Sequence, residues 1–339
     1  MHKVSVSIAG VTGYTGEELL KLSVAHPNID VVSLFASEDK AKDIADLYPY
    51  LKGRLNLPCM AFDPVEAAKA DAVFLALPHG LSMEVVPKLR QANAKKIIDL
   101  SADYRLTDLT AYPVYYDREH TDIKGLDDAV YGMPEINRAA VKNADFIANP
   151  GCYPTAIILA LWPLLKSKAT WSSPIVIDAK SGVSGAGRNS ATALQFAEAN
   201  DSFKAYKVDK HAHEGEIVQA FKRAGANPSF SFVPHLLPIH RGILATIYIH
   251  DLKGLDSMQG LYDDAYREEA FVQVLPNGKV PEIKDTLKTN QCHIGITYKE
   301  QSNSWIIVSA IDNLQKGAAA QAIQNFNLMH GLDEQTGLA

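Results

Sequence analysis

Cysteine is scarce in this chain: 339 residues include only Cys59, Cys152 and Cys292. They are odd in number, far apart and form no C-x-x-C pair, which argues against a disulfide framework and against a thiolate zinc site. A basic excess is also missing. Lys and Arg number 33 against 39 Asp and Glu, leaving a formal net charge of −6, so no broad surface for nucleic acid or acidic membrane is expected. Long apolar runs are absent as well. The longest, TAIILALWPLL at 155–165, is too short to span a bilayer and contains Pro163. The opening MHKVSVSIAGVTGYTG has no extended apolar core of the kind a signal peptide needs. A cytoplasmic location is therefore expected. No internal repeat or low-complexity stretch is present.

What is there reads as two domains, given roughly 150 residues per domain. The first 150 residues alternate short apolar runs with mixed stretches. The runs are VSVSIAG (4–10), DVVSLFAS (30–37), DAVFLALP (71–78), KKIIDLSA (95–102) and ADFIANP (144–150). Most lack clean alternation, as parallel strands covered on both faces do. EELLKLSVAH (17–26) and SMEVVPKLRQA (82–92) are the helical candidates, the second broken only by Pro87. This alternation predicts a doubly wound α/β domain of Rossmann type over 1–150. Beyond about residue 174 the runs PIVIDAKSG, SFSFVPHLL, GILATIYIH, CHIGITYK and SWIIVSAID come with fewer helices between them. They predict a second α+β domain over 151–312 with a mostly antiparallel sheet. The Ala-rich stretch 313–331 reads as one helix ending at Gly331.

Residues 10–16 read G-V-T-G-Y-T-G, placed between a predicted strand and a predicted helix. Glycines there permit a tight turn and close approach of a pyrophosphate, which the helix N-terminus then binds through free N–H groups. The spacing is G-x-x-G-x-x-G, a variant of the dinucleotide fingerprint. Gly10, Thr12, Gly13, Tyr14, Thr15 and Gly16 are thus expected to hold a nicotinamide dinucleotide. The second strand ends at Ser37 with Lys40 nearby, a hydroxyl and a cation that suit a 2′-phosphate and hence NADP. Glu38 and Asp39 pull the other way. Pro78, after the third strand, and Asn313 complete the expected cofactor set.

Cys152 lies in N-P-G-C-Y-P-T (149–155), after a strand and before a helix expected to start near Thr155. A thiol at a helix N-terminus is favoured as thiolate and can attack an activated carbonyl. Cys59 and Cys292 lack such a setting. K-H-A-H-E-G-E-I (210–217) offers His211 and His213 with Glu214 and Glu216 close by. This is not a helical metal-ligand set, and an imidazole oriented by a carboxylate fits better. No metal is expected. In K-S-G-V-S-G-A-G-R (180–188), backbone N–H groups with Ser181, Gly182 and Arg188 could hold a phosphate or carboxylate. D-L-S-A-D-Y-R (99–105) sits at a strand's carboxyl end and offers Arg105 as an anion clamp.

Taken together these strings resemble the N-acetyl-gamma-glutamyl-phosphate reductases of arginine biosynthesis. G-V-T-G-Y-T-G-E-E-L, D-L-S-A-D-Y-R, Y-G-M-P-E (131–135), N-P-G-C-Y-P-T, S-G-V-S-G-A-G-R, P-H-L-L-P-I-H-R-G-I-L (234–244) and D-N-L-Q-K-G-A-A-A-Q-A (312–322) occur in family order across nearly the whole chain. The resemblance implies an NADPH-dependent reductase of N-acetyl-L-glutamyl 5-phosphate, with Cys152 as nucleophile and His211 as acid/base residue. It implies that Arg105, Ser181, Gly182, Arg188, His213 and Glu216 bind substrate, and that 313–339 completes the cofactor domain. It also implies a homodimer or homotetramer. One departure is visible. The family's usual H-R-H-x-P-E-I reads H-A-H-E-G-E-I here, with Ala212 and Gly215 in place of Arg and Pro. Two alternatives follow: a reductase of carrier-linked amino-adipyl or glutamyl phosphates, and a non-catalytic nicotinamide-binding regulator. The serine before and threonine–asparagine after the cysteine of the glycolytic phosphorylating dehydrogenases are absent.

Overall fold

A computed structural model describes residues 3–37, 43–188 and 191–338. The chain divides into two units, Met1–Pro150 with Ala318–Ala339, and Gly151–Gly317. Among the described residues no helix is long and apolar enough to cross a membrane.

The first unit is built on seven parallel strands: β1 (Val4–Ala9), β2 (Ile29–Ala36), β3 (Cys59–Ala61), β4 (Ala72–Leu75), β5 (Ile97–Asp99), β6 (Val130–Tyr131) and β7 (Phe146–Ala148). Their order is β3-β2-β1-β4-β5-β7-β6, so the sequence turns about between β1 and β4, the point where open α/β sheets bind ligands. The five apolar runs are β1, β2, β4, β5 and β7. The edge strands β3 and β6 were not legible; they are as short as β5 and β7 or shorter, and no apolar run was read around them. Even Ser7 in β1 is fully buried. Its hydroxyl pairs with Ser33 at 2.5 Å and reaches the Ala67 carbonyl at 3.0 Å, which satisfies it inside the sheet.

Seven α-helices of nine or more residues lie among the described residues: α1 (Tyr14–Ala25), α2 (Ser82–Gln91), α3 (Pro134–Lys142), α4 (Cys152–Lys166), α5 (Glu214–Ala224), α6 (Met258–Tyr266) and α7 (Ala320–Met329). α1 buries Leu19, Leu20 and Ser23. α2 runs straight through Pro87. The expected single helix over 313–331 is two pieces. A π-type turn, Gln315–Ala319, precedes α7, and Gly331 follows it in the left-handed region at φ +67°, as a residue just past a helix end does. α7 packs in the first unit through Ala322, Ile323 and Phe326. It also carries buried amides. Asn325 Nδ2 donates to the Gly132 carbonyl at 2.8 Å and to Asn149 Oδ1 at 3.0 Å, and Gln321 Nε2 donates to the same carbonyl at 3.0 Å.

The second unit holds β8 (Ile175–Gly182), β9 (Lys204–Ala205), β10 (Phe230–Leu237), β11 (Ile243–His250), β12 (Val272–Val274), β13 (Cys292–Lys299) and β14 (Ser304–Ile311). The order is β12-β13-β14-β11-β8-β10-β9. Pairing is antiparallel except at β8–β10 and β12–β13, so the sheet is mixed with an antiparallel majority. α4 is buried almost throughout and fastened to the sheet by Ser309 Oγ, which donates to the Ala156 carbonyl at 2.9 Å. Along β11, and along β8 as far as Lys180, buried residues alternate with half-buried ones; Ser181 and Gly182 at the end of β8 are both buried.

Candidate active site

In the first unit, the glycine turn sits where β1 and β4 diverge. Gly10 has φ +85°, and a Cβ on it would lie 2.2 Å from the Ala76 carbonyl oxygen; one on Gly16 would lie 2.1 Å from that of Gly10. The turn closes only without side chains at these two places. Gly13 is the N-cap of α1, and no side chain caps the helix. A Cβ there would meet only the Gly10 carbonyl, at 3.6 Å. The N-terminus of α1, with Thr12, Tyr14 and Thr15, therefore suits an anionic pyrophosphate. Ser37 directly follows β2 and is exposed; Lys40 lies outside the described residues. Pro78 lies in the loop between β4 and α2.

At the end of β5, Asp99 is fully buried. It accepts from Ser82 Oγ at 2.7 Å, Ser101 Oγ at 2.7 Å and the Ser101 N–H at 3.0 Å. Burial, then the charge of Asp103, pushes its carboxyl up to about 6. Asp103 in turn receives the N–H groups of Gly80 and Met83 at 2.6 and 3.2 Å, fixing the start of α2. Arg105, 5% exposed, donates from Nε to the Asn149 carbonyl and from Nη2 to the Leu100 carbonyl, both at 2.8 Å. The guanidinium expected as an anion clamp is thus held by backbone carbonyls at Nε and Nη2.

In the second unit, Cys152 is the first residue of the 15-residue α4, with Gly151 as N-cap. The expected start near Thr155 is three residues late. Pro154 stands inside the first helical turn, where a proline removes no hydrogen bond that the helix would make. Thr155 Oγ1 donates to the Gly151 carbonyl at 2.8 Å. Glu216, 1% exposed, accepts the Gly151 N–H at 3.0 Å. The acidic residue near the histidines therefore grips the backbone beside the cysteine.

His211 and His213 occupy the turn that opens α5, where His213 is the N-cap. Both rings pack against Tyr153, at centroid distances of 5.7 and 5.9 Å, and lie 4.9 Å from each other. Phe232 and Tyr206 flank His211 at 5.5 and 5.8 Å. The His211 backbone N–H donates to Glu214 at 2.9 Å, and its Nδ1 accepts the His213 N–H at 3.1 Å. That bond places the ring proton on Nε2. Burial, then the charge of Lys207, pulls His211 down to about 4. At neutral pH it is an uncharged imidazole with a fixed Nε2–H donor. Burial also pushes Tyr206 up to about 12.

The 181–188 string is less open than expected. The N–H groups of Gly182, Val183 and Ser184 donate to the carbonyls of Gly242, Ile239 and His240 at 2.9, 2.9 and 3.0 Å, and that of Gly187 to Ser184 at 3.1 Å. The nearby crossing of residues 239–242 takes up three N–H groups of the supposed anion nest. Ser181 is buried and Arg188 exposed. Asn313, buried, uses both ends of its amide: Oδ1 accepts from the Gly242 N–H at 2.7 Å and Nδ2 donates to Ser184 Oγ at 3.0 Å. Among the described residues no cluster of His, Cys, Asp and Glu could hold a metal.

Two family models match the chain: the semialdehyde dehydrogenase NAD binding domain over residues 5–144 and the semialdehyde dehydrogenase dimerisation domain over 152–313. N-acetyl-gamma-glutamyl-phosphate reductases of Pelotomaculum thermopropionicum and Desulforudis audaxviator are each 47% identical to it, over 99% of this chain and 98% of theirs. The chain belongs to the N-acetyl-gamma-glutamyl-phosphate reductase family. It therefore carries the nicotinamide-binding and dimerisation domains of an oxidoreductase family. Among solved structures, aspartate semialdehyde dehydrogenase II of Vibrio cholerae superposes with a TM-score of 0.74 at 17% identity, covering 98% of this chain and 99% of that one. Aspartate semialdehyde dehydrogenase of Candida albicans gives 0.68 at 15%, covering 97% and 98%. These likenesses show the shared fold.

Within this reductase fold, several residues about the cysteine escaped sequence reasoning. Tyr153 adjoins Cys152 in sequence, and its hydroxyl donates to the His235 carbonyl at 3.0 Å. Phe232 comes from β10 and Tyr206 from the loop before His211. No spacing links these segments; only the fold brings their rings together.

Proposed function

We propose that this protein reduces N-acetyl-L-glutamyl 5-phosphate to N-acetyl-L-glutamate 5-semialdehyde with NADPH, releasing phosphate. The observation that carries the reading is Cys152 at the first position of a long buried helix, with Glu216 gripping that helix start and the His211–His213 pair stacked on Tyr153, in a chain 47% identical end to end to reductases of this name.

The N–H groups at the start of α4 favour the Cys152 thiolate over the thiol. The sulfur attacks the acyl carbonyl, the carbon–oxygen bond to phosphate breaks, and a thioester remains on Cys152. Arg188, in the same unit as Cys152, is the cation assigned to the leaving phosphate. When bound, the reduced nicotinamide supplies a hydride; the open N-terminus of α1 suits its pyrophosphate. His211 offers its Nε2–H to the thiohemiacetal oxygen, and the carbon–sulfur bond then breaks to give aldehyde and thiolate. Its low basicity makes it a hydrogen-bond donor in this role. His213, oriented from the same turn, is assigned to the bound substrate.

The choice of NADP rests on Ser37 and Lys40 in the sequence. The protein is proposed to be a cytoplasmic homodimer or homotetramer. The face of β8 and β11 that carries Val176, Leu244, Thr246 and Tyr248 is half buried in one copy, which suits a second copy.

The test is phosphate-dependent reduction of NADP by the purified protein, comparing N-acetylglutamate semialdehyde with its amino-adipate homologue. The reading predicts turnover with the first and a much lower kcat/KM with the second. A preference for the homologue would reassign the substrate; no turnover with either would remove the reaction.

A further inference from the structure

Behind the Cys152 side chain stands bare backbone. A Cβ placed on Gly317 would lie 2.7 Å from the Cys152 Cβ, 3.2 Å from its Cα and 3.3 Å from Ile311 Cδ1. Carbon atoms in contact sit roughly 3.5–4.0 Å apart. Position 317 therefore has no room for a side chain while Cys152 keeps its place. Gly10 and Gly16 are as crowded, but by the glycine turn's own backbone and its neighbour strand. At Gly317 the crowding atom belongs to the nucleophile.

The turn that carries Gly317 is fastened. It is π-type, a rare form that recurs at functional sites, and the Gly317 N–H donates to the Asp312 carbonyl at 3.0 Å. The Asp312 side chain is fully buried. One oxygen accepts the N–H groups of Leu314 and Gln315 at 2.8 and 3.3 Å, the other the Lys288 N–H at 2.7 Å and Arg241 Nη1 at 3.4 Å. Asn313 is clamped to Gly242 and Ser184. Facing it, α4 is buried and its N-cap is held by Glu216. Neither surface can retreat without breaking buried hydrogen bonds.

We infer that Gly317 is a positioning residue: its backbone is the wall that fixes where the Cys152 sulfur stands. This rests on Cys152 being the nucleophile of the proposed reaction. Gly317→Ala in the full chain is expected to lower kcat about 10²-fold, with KM for the acyl substrate changed less and NADPH affinity unchanged. The pH profile of Cys152 alkylation by iodoacetamide should move with it. Thermal melts supply a second readout. Gly317→Ala should lower Tm equally in the native and Cys152→Ala backgrounds, which both keep a Cβ at 152, and distinctly less in Cys152→Gly, where only the contacts to the residue's Cα and to Ile311 remain. Equal losses in all three, or a native kcat and alkylation profile, overturn the inference. If Gly317→Ala alone does not fold, recovery in the Cys152→Gly background supports it, and failure there too overturns it. A wrong nucleophile shows differently: Cys152→Ser would keep its turnover while the thermal coupling between 152 and 317 persisted.

Discussion

At the scale of single residues, His211 is the side chain whose chemistry the fold changes most. The sequence offers two histidines in H-A-H and no means to choose between them, since residues two apart share one face of a strand but lie about 200° apart on a helix, and the string does not say which element holds them. The turn before α5 separates them. It commits His211 Nδ1 to a backbone N–H and leaves Nε2–H as the one ring donor. His211→Asn should lower kcat by about 10²–10⁴-fold. His211→Gln, which also presents an amide N–H, should retain more activity than His211→Ala. If His211 were instead a base that must charge, Gln and Ala would be equally inactive and kcat would titrate with it. Pre-steady-state kinetics of the three variants decides this. Cys152 was legible because Gly and Pro flank it. Tyr153 and Tyr206 were not, because aromatic residues are ordinary core material until a fold aims them at something.

At the scale of elements, the glycine turn shows how a motif is read through its setting. Gly10 and Gly16 serve the turn's own closure, as their clashes with the Ala76 and Gly10 carbonyls show. At Gly13 a Cβ would make only an ordinary contact, 3.6 Å from the Gly10 carbonyl. The three glycines therefore predict different phenotypes. Gly13→Val should leave melting nearly native while weakening NADPH binding, measured by fluorescence titration; an unchanged dissociation constant would move the cofactor elsewhere. Side chains at Gly10 or Gly16 should instead impair folding. In each sheet five strands were legible from the apolar runs around them. The π-type turn was not: Ala-rich 313–331 reads as uninterrupted helix, and the bonds that anchor Asp312 and Asn313 to Arg241, Lys288, Gly242 and Ser184 are tertiary. The string 181–188 has fewer open N–H groups than its glycines suggest, for a related reason. Glycine-rich sequence announces available N–H groups, but not that a neighbouring loop already accepts them.

At the scale of the whole molecule, buried ionisable groups set the response to acid. His211 and His330 are pulled from 6.5 to about 4, and His26, His120 and His293 are also lowered, in each case chiefly by burial. A histidine with a depressed folded pKa binds fewer protons folded than unfolded. Its contribution is full above 6.5 and is lost as pH falls toward the lowered value. Asp99 works the other way. Its carboxyl rises from 3.8 to about 6, so the folded chain binds more protons in that window and gains stability on acidification. Glu214 is raised too, by burial first. Five groups oppose two, so Tm should fall between pH 7 and pH 5. Asp99→Asn, by removing the more deeply buried of the two opposing groups, should steepen the fall. A flat or rising Tm on acidification would contradict the assignment of these histidines as neutral in the fold.

The central claim is that acyl transfer passes through Cys152, and the most direct measurement omits phosphate. Mixing the protein with N-acetylglutamate semialdehyde and NADP should give a stoichiometric burst of NADPH that then stops, with an N-acetylglutamyl thioester on the Cys152 peptide by mass spectrometry. Adding phosphate should release the acyl group and restart turnover. Cys152→Ser should show neither burst nor adduct while still binding NADPH. A burst that survives in Cys152→Ser, or an acyl adduct on another residue, would contradict the account.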